Sequence, residues 1–213
     1  MHLILIRHAE SKHSQQDKIA GLSGCTGLTP LGFEQAQLLA KRLRASGELN
    51  DCQTLLCSPV LRAKQTAQVL AEVMPANRLK QDEALCELHP GAANDLTWQE
   101  YREKFGAFDL LASPNRPFAP QGESWLEFMQ RVRDTLERLA SQYEQQSVVA
   151  VTHAGFIVAS LLVLFDIPRP GTGAHIDPLH TSLTEWYKSN GTWQLAKYND
   201  AWHLNTSDQQ ANP

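Results

Sequence analysis

Two short apolar runs that each lead to a histidine constrain the fold of this chain most strongly. Residues 3–6 are followed directly by Arg7 and His8, and residues 148–151 are followed, after one threonine, by His153. Four consecutive apolar residues are typical of a strand buried on both faces, because a half-buried strand alternates apolar and polar residues. Ligands of open parallel sheets bind at the carboxyl ends of the strands. The two runs therefore predict one site that both histidines share.

Strands and helices alternate along the rest of the chain. Further strands are predicted at residues 54–57 and 79–84, and the pair Asn190-Gly191 predicts a hairpin between two final strands. Helices are predicted over residues 30–46, 59–74, 96–105, 125–143 and 156–165, with starts at Thr29-Pro30, Ser58-Pro59 and Ser124. This alternation predicts an α/β fold, a three-layer sandwich with a mostly parallel central sheet and helices on both faces.

The length of 213 residues fits one large domain. We expect this domain to span residues 1–204 and the polar residues 205–213 to form a disordered tail. Residues 12–28 are polar and contain three glycines, which is typical of a long functional loop. Residues 88–121 carry several prolines that break helices, and they are predicted to form an insert that covers the active site.

The composition argues against several functional classes. A net charge of −4 and a pI near 6.0 provide no basic surface for nucleic acid. No apolar run is long enough for a membrane span or a secretory signal, so we expect a cytoplasmic protein that binds neither membranes nor nucleic acid. The four cysteines lack metal-ligand spacing and favour a reducing compartment. These features leave the oligomeric state open.

Arg62 gives the predicted site its chemical character. It lies one turn into the second predicted helix, where a cation opposes the helix macrodipole at a cost of about 0.3–1 kcal/mol. An anion between the arginine and the helix end relieves that cost, and helix N-termini bind phosphate readily. Arg7 and Arg62, together with His8 and His153, therefore predict an anion pocket, and phosphate matches the paired donors of the arginines.

Each of these signals alone has an ordinary structural explanation. A histidine after a strand is usually a polar residue at a sheet edge, and Ser-Pro-x-x-Arg is a common helix start. Glu10 can simply pair with a neighbouring arginine, and His175 and His180 are expected to lie in a loop rather than in the pocket. The combination of arginines and histidines at the ends of three strands is what favours a functional site.

A series of short motifs runs along nearly the whole chain. They are Arg7-His8-Ala9-Glu10, Leu28-Thr29-Pro30-Leu31-Gly32, Ser58-Pro59-x-x-Arg62-Ala63, Leu85-Cys86-Glu87, Gly122-Glu123-Ser124, Thr152-His153-Ala154-Gly155 and Asn199-Asp200. In this order they resemble the histidine phosphatase superfamily, also called phosphoglycerate mutase-like, and its phosphatase branch in particular. Each motif alone is common, but the ordered set is highly specific.

The resemblance implies a metal-independent phosphomonoester hydrolase that acts through a phosphohistidine intermediate on His8. Arg7, Arg62 and His153 would bind the phosphoryl oxygens, and Glu87 would protonate the leaving group and then activate water. The implied catalytic residues are thus His8, Glu87 and His153. The chemistry of the family needs no metal and no cofactor, and the implied partner is a small phosphorylated substrate.

Two other functions are compatible with the same motifs. A phosphoglycerate mutase must retain its intermediate and exclude water. The short, proline-broken insert and the absence of a Trp-Asn pair in residues 12–28 favour hydrolysis instead. A catalytically silent protein that binds a phosphorylated ligand is disfavoured by the complete set of candidate site residues. Ala9 departs from the family pattern, in which glycine usually follows the histidine, and a methyl group fits there if φ is negative.

Overall fold

The computed structural model describes residues 1–75, 79–107, 112–167 and 175–205. The strands are β1 (His2–Arg7), β2 (Cys52–Cys57), β3 (Leu79–Gln81), β4 (Ser147–Thr152), β5 (Leu183–Ser189) and β6 (Thr192–Asp200). The α-helices are α1 (Lys12–Gln15), α2 (Pro30–Ser46), α3 (Leu61–Ala71), α4 (Trp98–Phe105), α5 (Trp125–Gln142) and α6 (Ala154–Leu164), and 3₁₀ helices occupy Glu83–Leu85, Gly91–Ala93 and Trp202–Leu204. No helix within these ranges is both long and apolar enough to cross a membrane. Apart from Asn205, the tail predicted to be disordered lies outside the described residues.

The strands form one sheet in the order β3-β2-β4-β1-β5-β6. The pairings β1–β4, β2–β4 and β2–β3 are parallel, whereas β1–β5 and β5–β6 are antiparallel. The prediction of a mostly parallel sheet is therefore confirmed, with a hairpin at one side. The hairpin turn is the predicted one: Asn190 and Gly191 have φ values of 50° and 79°, as a type I′ turn requires.

Helices cover both faces of the sheet, which confirms the predicted three-layer sandwich. Along β1, Leu3 and Leu5 pack against α5 and α6, while Ile4 and Ile6 pack against α2 and α3. All four side chains are completely buried, and each contributes about 1.5–3 kcal/mol of hydrophobic stabilisation. Because both faces of β1 are covered, the strand is apolar at every position rather than alternating.

Two of the predicted helix starts are confirmed by their capping bonds. The Thr29 hydroxyl accepts the backbone N–H of Gly32 at 2.9 Å, and Pro30 is the first residue of α2. Ser124 and Glu127 form the predicted capping box at the start of α5. These caps satisfy backbone N–H groups that have no partner within the helix, so they determine where each helix begins.

The third predicted helix start is wrong by two residues. Helix α3 begins at Leu61, and its N-cap residue Val60 makes no side-chain capping bond. Ser58 does not cap the helix, because its hydroxyl accepts the backbone N–H of Val60 at 3.3 Å in a local turn. Arg62 is consequently the second residue of α3 and lies closer to the helix end than the sequence pattern indicated.

The loop predicted after β1 opens with the short helix α1 and then pairs with the insert. Residues 17–19 and 95–98 form a short two-stranded segment, which we call the loop–insert ribbon. The N–H of Ile19 donates to the carbonyl of Leu96 at 2.8 Å, and the N–H of Asp95 donates to the carbonyl of Ile19 at 2.7 Å. The loop and the insert are therefore bound directly to each other.

Candidate active site

The two histidines that follow the apolar runs lie side by side at the carboxyl edge of the sheet. In the parallel pairing of β1 with β4, Arg7 lies opposite Thr152, so His8 and His153 leave the sheet at the same level. The N–H of His8 donates to the carbonyl of Thr152 at 2.9 Å. The imidazole centroids are 5.1 Å apart, and both side chains are buried. The strand register thus brings the two histidines together.

The neighbours of His8 determine its tautomer. Nδ1 lies 2.7 Å from the backbone carbonyl of Ala9, and a carbonyl can only accept, so Nδ1 carries the hydrogen. Nε2 then keeps its lone pair, to which the Nε–H of Arg62 donates at 3.0 Å. His8 therefore presents an unprotonated nitrogen next to a fixed cation, which is the arrangement that a histidine nucleophile needs.

Arg62 connects the groups at the centre of the site. In addition to its bond to His8, it donates from Nη2 to Nδ1 of His153 at 3.1 Å and from Nη1 to the carbonyl of Ala20 at 3.0 Å. The side chain is buried, and it stands at the N-terminus of α3. A buried guanidinium at a helix N-terminus creates a strongly positive local field that favours a bound anion.

Ser58 orients His153, a contact that sequence reasoning missed. Because a guanidinium only donates, Nδ1 of His153 accepts from Arg62, and Nε2 carries the hydrogen. This Nε2–H donates to the Ser58 hydroxyl at 2.9 Å. The Ser-Pro pattern indicated only a helix cap, so no local signal distinguished this contact from ordinary capping.

Arg7 borders the cavity with one of its nitrogens unpartnered. Its Nη1 donates to the carboxylate of Asp177 at 3.1 Å and to the carbonyl of Pro178. Its Nε is buried and has no hydrogen-bond partner among the described residues. Burial lowers the pKa of Arg7, and the charges of Asp177 and Glu87 oppose this shift. The partly buried guanidinium lines the cavity, where its charge stabilises an anion that enters.

Glu87 reaches the site from the segment that follows the first 3₁₀ helix. Its carboxylate accepts the backbone N–H of Gly155, in the first turn of α6, at 2.9 Å. Arg131 fixes the segment by donating to the carbonyls of Cys86 at 3.0 Å and Glu87 at 3.1 Å. Glu87 lines the same cavity as His8. A carboxyl group at this position can exchange a proton with a ligand in the cavity.

Gly155 leaves room for the Glu87 carboxylate, because a Cβ at this position would collide with one carboxylate oxygen and with the carboxyl carbon. We expect Gly155→Ala to displace Glu87 and to lower kcat/KM on ethyl phosphate by about 10²-fold, a typical loss of acid–base catalysis, because kcat/KM reports the step in which the alcohol leaves and not the later reaction with water. The loss should be smaller on 4-nitrophenyl phosphate, since its leaving group needs little protonation. Steady-state kinetics with the two esters provide the measurement.

Glu83→Gln is the matched control for this substitution. Glu83 is a neighbouring carboxylate that lies outside the cavity containing His8, so both rates should remain unchanged. A Gly155→Ala enzyme that lost the same factor in kcat/KM on both esters would show that Glu87 does not act as the proton donor.

The residues after His8 hold the backbone of this motif in place. Ala9 is buried and is not among the residues with positive φ, which explains why a methyl group is accommodated there. Its N–H donates to the hydroxyl of Thr66 at 3.0 Å. The carboxylate of Glu10 accepts the hydroxyl of Thr29 at 2.6 Å, a contact that ties the motif to the start of α2.

His180 lies in a turn and does not line the cavity, as the sequence indicated, but it packs against His8. Its Nδ1–H donates to the carbonyl of His8 at 3.0 Å, and the two rings are 5.6 Å apart. Burial lowers the pKa of His180 to about 4. The contact arises because β5 runs antiparallel beside β1 and brings the preceding turn against His8. His175 is exposed, as expected of a loop residue.

Burial and positive neighbours keep both histidines of the site uncharged. Burial is the largest cause that lowers the pKa of His8 well below its usual value of 6.5, and the charge of Arg62 adds to it. The same two causes lower the pKa of His153. In the unfolded chain both imidazoles take up a proton near pH 6.5, whereas in the folded chain they stay neutral to a lower pH. Their contribution to the free energy of unfolding is therefore highest above that pH and decreases as the pH falls below it.

The site opens into a cavity of about 370 Å³. Arg7, His8 and Arg62 line one end of it, and the loop and the insert supply much of the rest, including Ile19 and Trp98. Within the described parts of the chain, no group of three or more His, Cys, Asp or Glu side chains is arranged to hold a metal ion. The cavity therefore combines a cationic end that carries a histidine with walls that are largely apolar.

Sequence comparison defines the class of protein. Residues 3–201 match the histidine phosphatase superfamily (branch 1), and the chain belongs to this superfamily. It is a histidine phosphatase, a phosphoric monoester hydrolase from a superfamily in which a phosphohistidine intermediate is general.

Two curated relatives have phosphatase names. The metal-independent phosphoserine phosphatase of Arabidopsis thaliana is 27% identical over 209 residues, which cover 96% of this chain and 83% of that protein. The putative phosphoserine phosphatase 2 of Hydrogenobacter thermophilus is 31% identical over 167 residues, which cover 78% of this chain and 79% of that protein.

Solved structures of one further protein are also similar. A mutant phosphoserine phosphatase from Entamoeba histolytica, in complex with phosphoserine, has a TM-score of 0.77 and 26% identity, and the match covers 95% of this chain and 98% of that one. The phosphoserine phosphatase of the same organism in complex with 3-phosphoglyceric acid has a TM-score of 0.79, with the same identity and coverage. These matches confirm the predicted fold class.

Proposed function

We propose that the chain hydrolyses small phosphate monoesters in two phosphoryl transfers through Nε2 of His8. The observation that carries this proposal is the tautomer of His8. Its Nδ1–H is bound to the carbonyl of Ala9, and its Nε2 lone pair lies 3.0 Å from Nε of Arg62. A neutral and oriented imidazole beside a cation supports nucleophilic attack on a phosphate group.

In the first transfer, Nε2 of His8 attacks phosphorus, and the P–O bond to the leaving alcohol breaks. Arg7, Arg62 and His153 bind the phosphoryl oxygens, and Arg62 exchanges its bond to His8 for a bond to one of these oxygens. His153 presents a lone pair on Nδ1, so it donates to an oxygen only after taking up a proton, which a phosphate monoanion supplies. Catalysis then consists of positioning and electrostatic stabilisation.

Glu87 transfers the proton that balances each step. In the first transfer its carboxylic acid protonates the leaving alkoxide. In the second transfer its carboxylate takes a proton from the water that attacks phosphorus and breaks the P–N bond to His8. The products are the alcohol and inorganic phosphate, to which His153 returns its proton, and His8 is restored. The position of Glu87 in the cavity, bonded to Gly155, supports this role.

Phosphoserine is the reference substrate for this proposal, because it appears in the names of the two relatives described above. The mutase alternative has less support, since these relatives have phosphatase names. We also propose a cytoplasmic location. All four cysteines are free, which suits a reducing compartment.

The experiment that tests the proposal uses 4-nitrophenyl phosphate in the presence of EDTA. We expect release of free phosphate together with an acid-labile phosphoenzyme labelled on His8. Phosphate release that requires a divalent metal, without labelling of His8, would refute the mechanism. Interconversion of phosphoglycerates with little phosphate release would identify a mutase. Binding of phosphate esters without turnover would identify a silent binding protein.

A further inference from the structure

The cavity has two chemically different parts. One end carries the cations Arg7 and Arg62 beside His8, and although Lys18 and His13 also line the cavity, much of the remaining surface is apolar. The apolar side chains that line it include Ile19, Leu88, Pro90, Trp98, Phe118 and Trp125. Since the phosphate binds at the cationic end, the apolar wall surrounds the leaving group. A wall of this kind favours a leaving group that has apolar surface to remove from water.

The tryptophans of the wall are held in place by their helices. Trp98 is the first residue of α4, directly after the capping box of Thr97, and its ring packs edge-on against that of Phe118 with centroids 5.8 Å apart. Trp125 is the first residue of α5, directly after the capping box of Ser124. The ring of Trp125 also contacts that of Phe128, with centroids 5.7 Å apart, so both indoles are restricted by ring packing and lose little freedom when a ligand binds.

Part of the Trp98 side chain is also accessible to a ligand. Its side chain lines the cavity, and the residue is 40% exposed despite its contact with Phe118. An exposed indole in a concave site favours contact with a second planar ring, in an offset-stacked or edge-to-face arrangement. A small aliphatic leaving group would leave most of this surface in contact with water.

The charged groups beside the wall are paired with one another. Lys18 Nζ lies 3.0 Å from the carboxylate of Asp95, and Nε2 of His13 lies 3.7 Å from the same carboxylate. A leaving group that carries a carboxylate and an ammonium group would either displace this ion pair or lose its hydration water when it packs against the indoles. Because the Lys18–Asp95 pair is exposed, displacing it costs little, and the wall discriminates against zwitterionic leaving groups mainly through the hydration water that they lose.

We propose that the preferred leaving group is an alcohol that carries a planar aromatic ring, which packs against Trp98 and Trp125 while the phosphate binds Arg7 and Arg62. This inference rests on the proposed function, because it names the substrate class of the same site. Compact zwitterionic esters such as phosphoserine are poorer substrates for this chain.

The test compares three esters of primary alcohols, whose leaving groups have similar intrinsic reactivity: 2-phenylethyl phosphate, O-phospho-L-serine and ethyl phosphate. We expect kcat/KM for 2-phenylethyl phosphate to exceed both other values by about tenfold or more, the scale on which hydrophobic pockets discriminate.

Trp98→Ala and Trp125→Ala should each reduce this preference by about tenfold. Trp202→Ala is the matched control, because Trp202 is 60% exposed and lies outside the cavity, so the preference should be unchanged.

Binding measurements separate this inference from the hydrolytic function. Isothermal titration with 3-phenylpropylphosphonate and with 2-amino-4-phosphonobutyrate requires no turnover. Tighter binding of the phenyl compound, lost in Trp98→Ala, would support the aromatic leaving group. Equal or tighter binding of the amino-acid phosphonate, or phosphoserine turnover equal to that of 2-phenylethyl phosphate, would overturn it. Selective binding of the phenyl compound without phosphate release from any ester would support the inference and overturn the proposed hydrolysis.

Discussion

Replacing His8 with alanine is expected to abolish the phosphoenzyme and to lower kcat by at least about 10⁴-fold, because the nucleophile is lost. Nε2 of His8 carries the lone pair that faces Arg62, and alanine provides no atom that can form a bond to phosphorus. The measurements are acid-labile labelling of the protein and the rate of phosphate release from 4-nitrophenyl phosphate.

His175→Ala is the matched control, because it removes an exposed histidine outside the site. This variant should label and turn over at the wild-type level. A His8→Ala enzyme that still formed an acid-labile phosphoenzyme would assign the nucleophile to another residue, and His153 and His180 would then be the nearest imidazoles to examine.

Arg62→Ala is expected to lower kcat by about 10²- to 10³-fold, comparable to the loss of a preorganised donor to developing negative charge. The substitution removes the donors that contact His8, His153 and the carbonyl of Ala20. Arg62→Lys should recover only part of the rate, since an ammonium group cannot present the planar fork that reaches both histidines. Steady-state kinetics in EDTA provide the measurement.

The pH profile distinguishes this role from a merely structural one. After burial, the charge of Arg62 is the largest cause of the lowered pKa of His8. Its removal raises that pKa, so the acid limb of kcat/KM should move to higher pH, because protonated His8 cannot attack. Arg133→Ala replaces an exposed residue of α5, and it should alter neither kcat nor the pH profile of kcat/KM. An Arg62→Ala enzyme with wild-type kcat and an unshifted acid limb would exclude Arg62 from the catalytic site.

The central residues of the site could be predicted because local patterns determine their positions. The apolar runs before His8 and His153 indicate strands buried on both faces, and such strands are neighbours in the interior of a sheet. Burial also restricts their register, since a slip of one residue exchanges the side chains between the two faces. The observed pairing of β1 with β4 follows from these constraints and places both histidines at one level.

Contacts between distant segments could not be predicted in the same way. Ser58 has the pattern of a helix cap, but its hydroxyl orients His153 because α3 starts two residues later than the pattern indicates. His180 has the surroundings of a loop residue, but it contacts His8 because the hairpin lies beside β1. Both contacts depend on how whole elements pack together, which spacing along the chain does not encode.

The loop–insert ribbon separates recognition of the phosphate from recognition of the alcohol. Arg7 and His8 are placed by the end of a buried strand, whereas Ile19 and Trp98 belong to a segment whose hydrogen bonds join the loop to the insert. A substitution in the ribbon can therefore reshape the wall while the strand ends stay in place. In evolutionary terms, exchange of a surface segment can give one phosphoryl-transfer centre specificity for new phosphate esters while its catalytic residues stay the same.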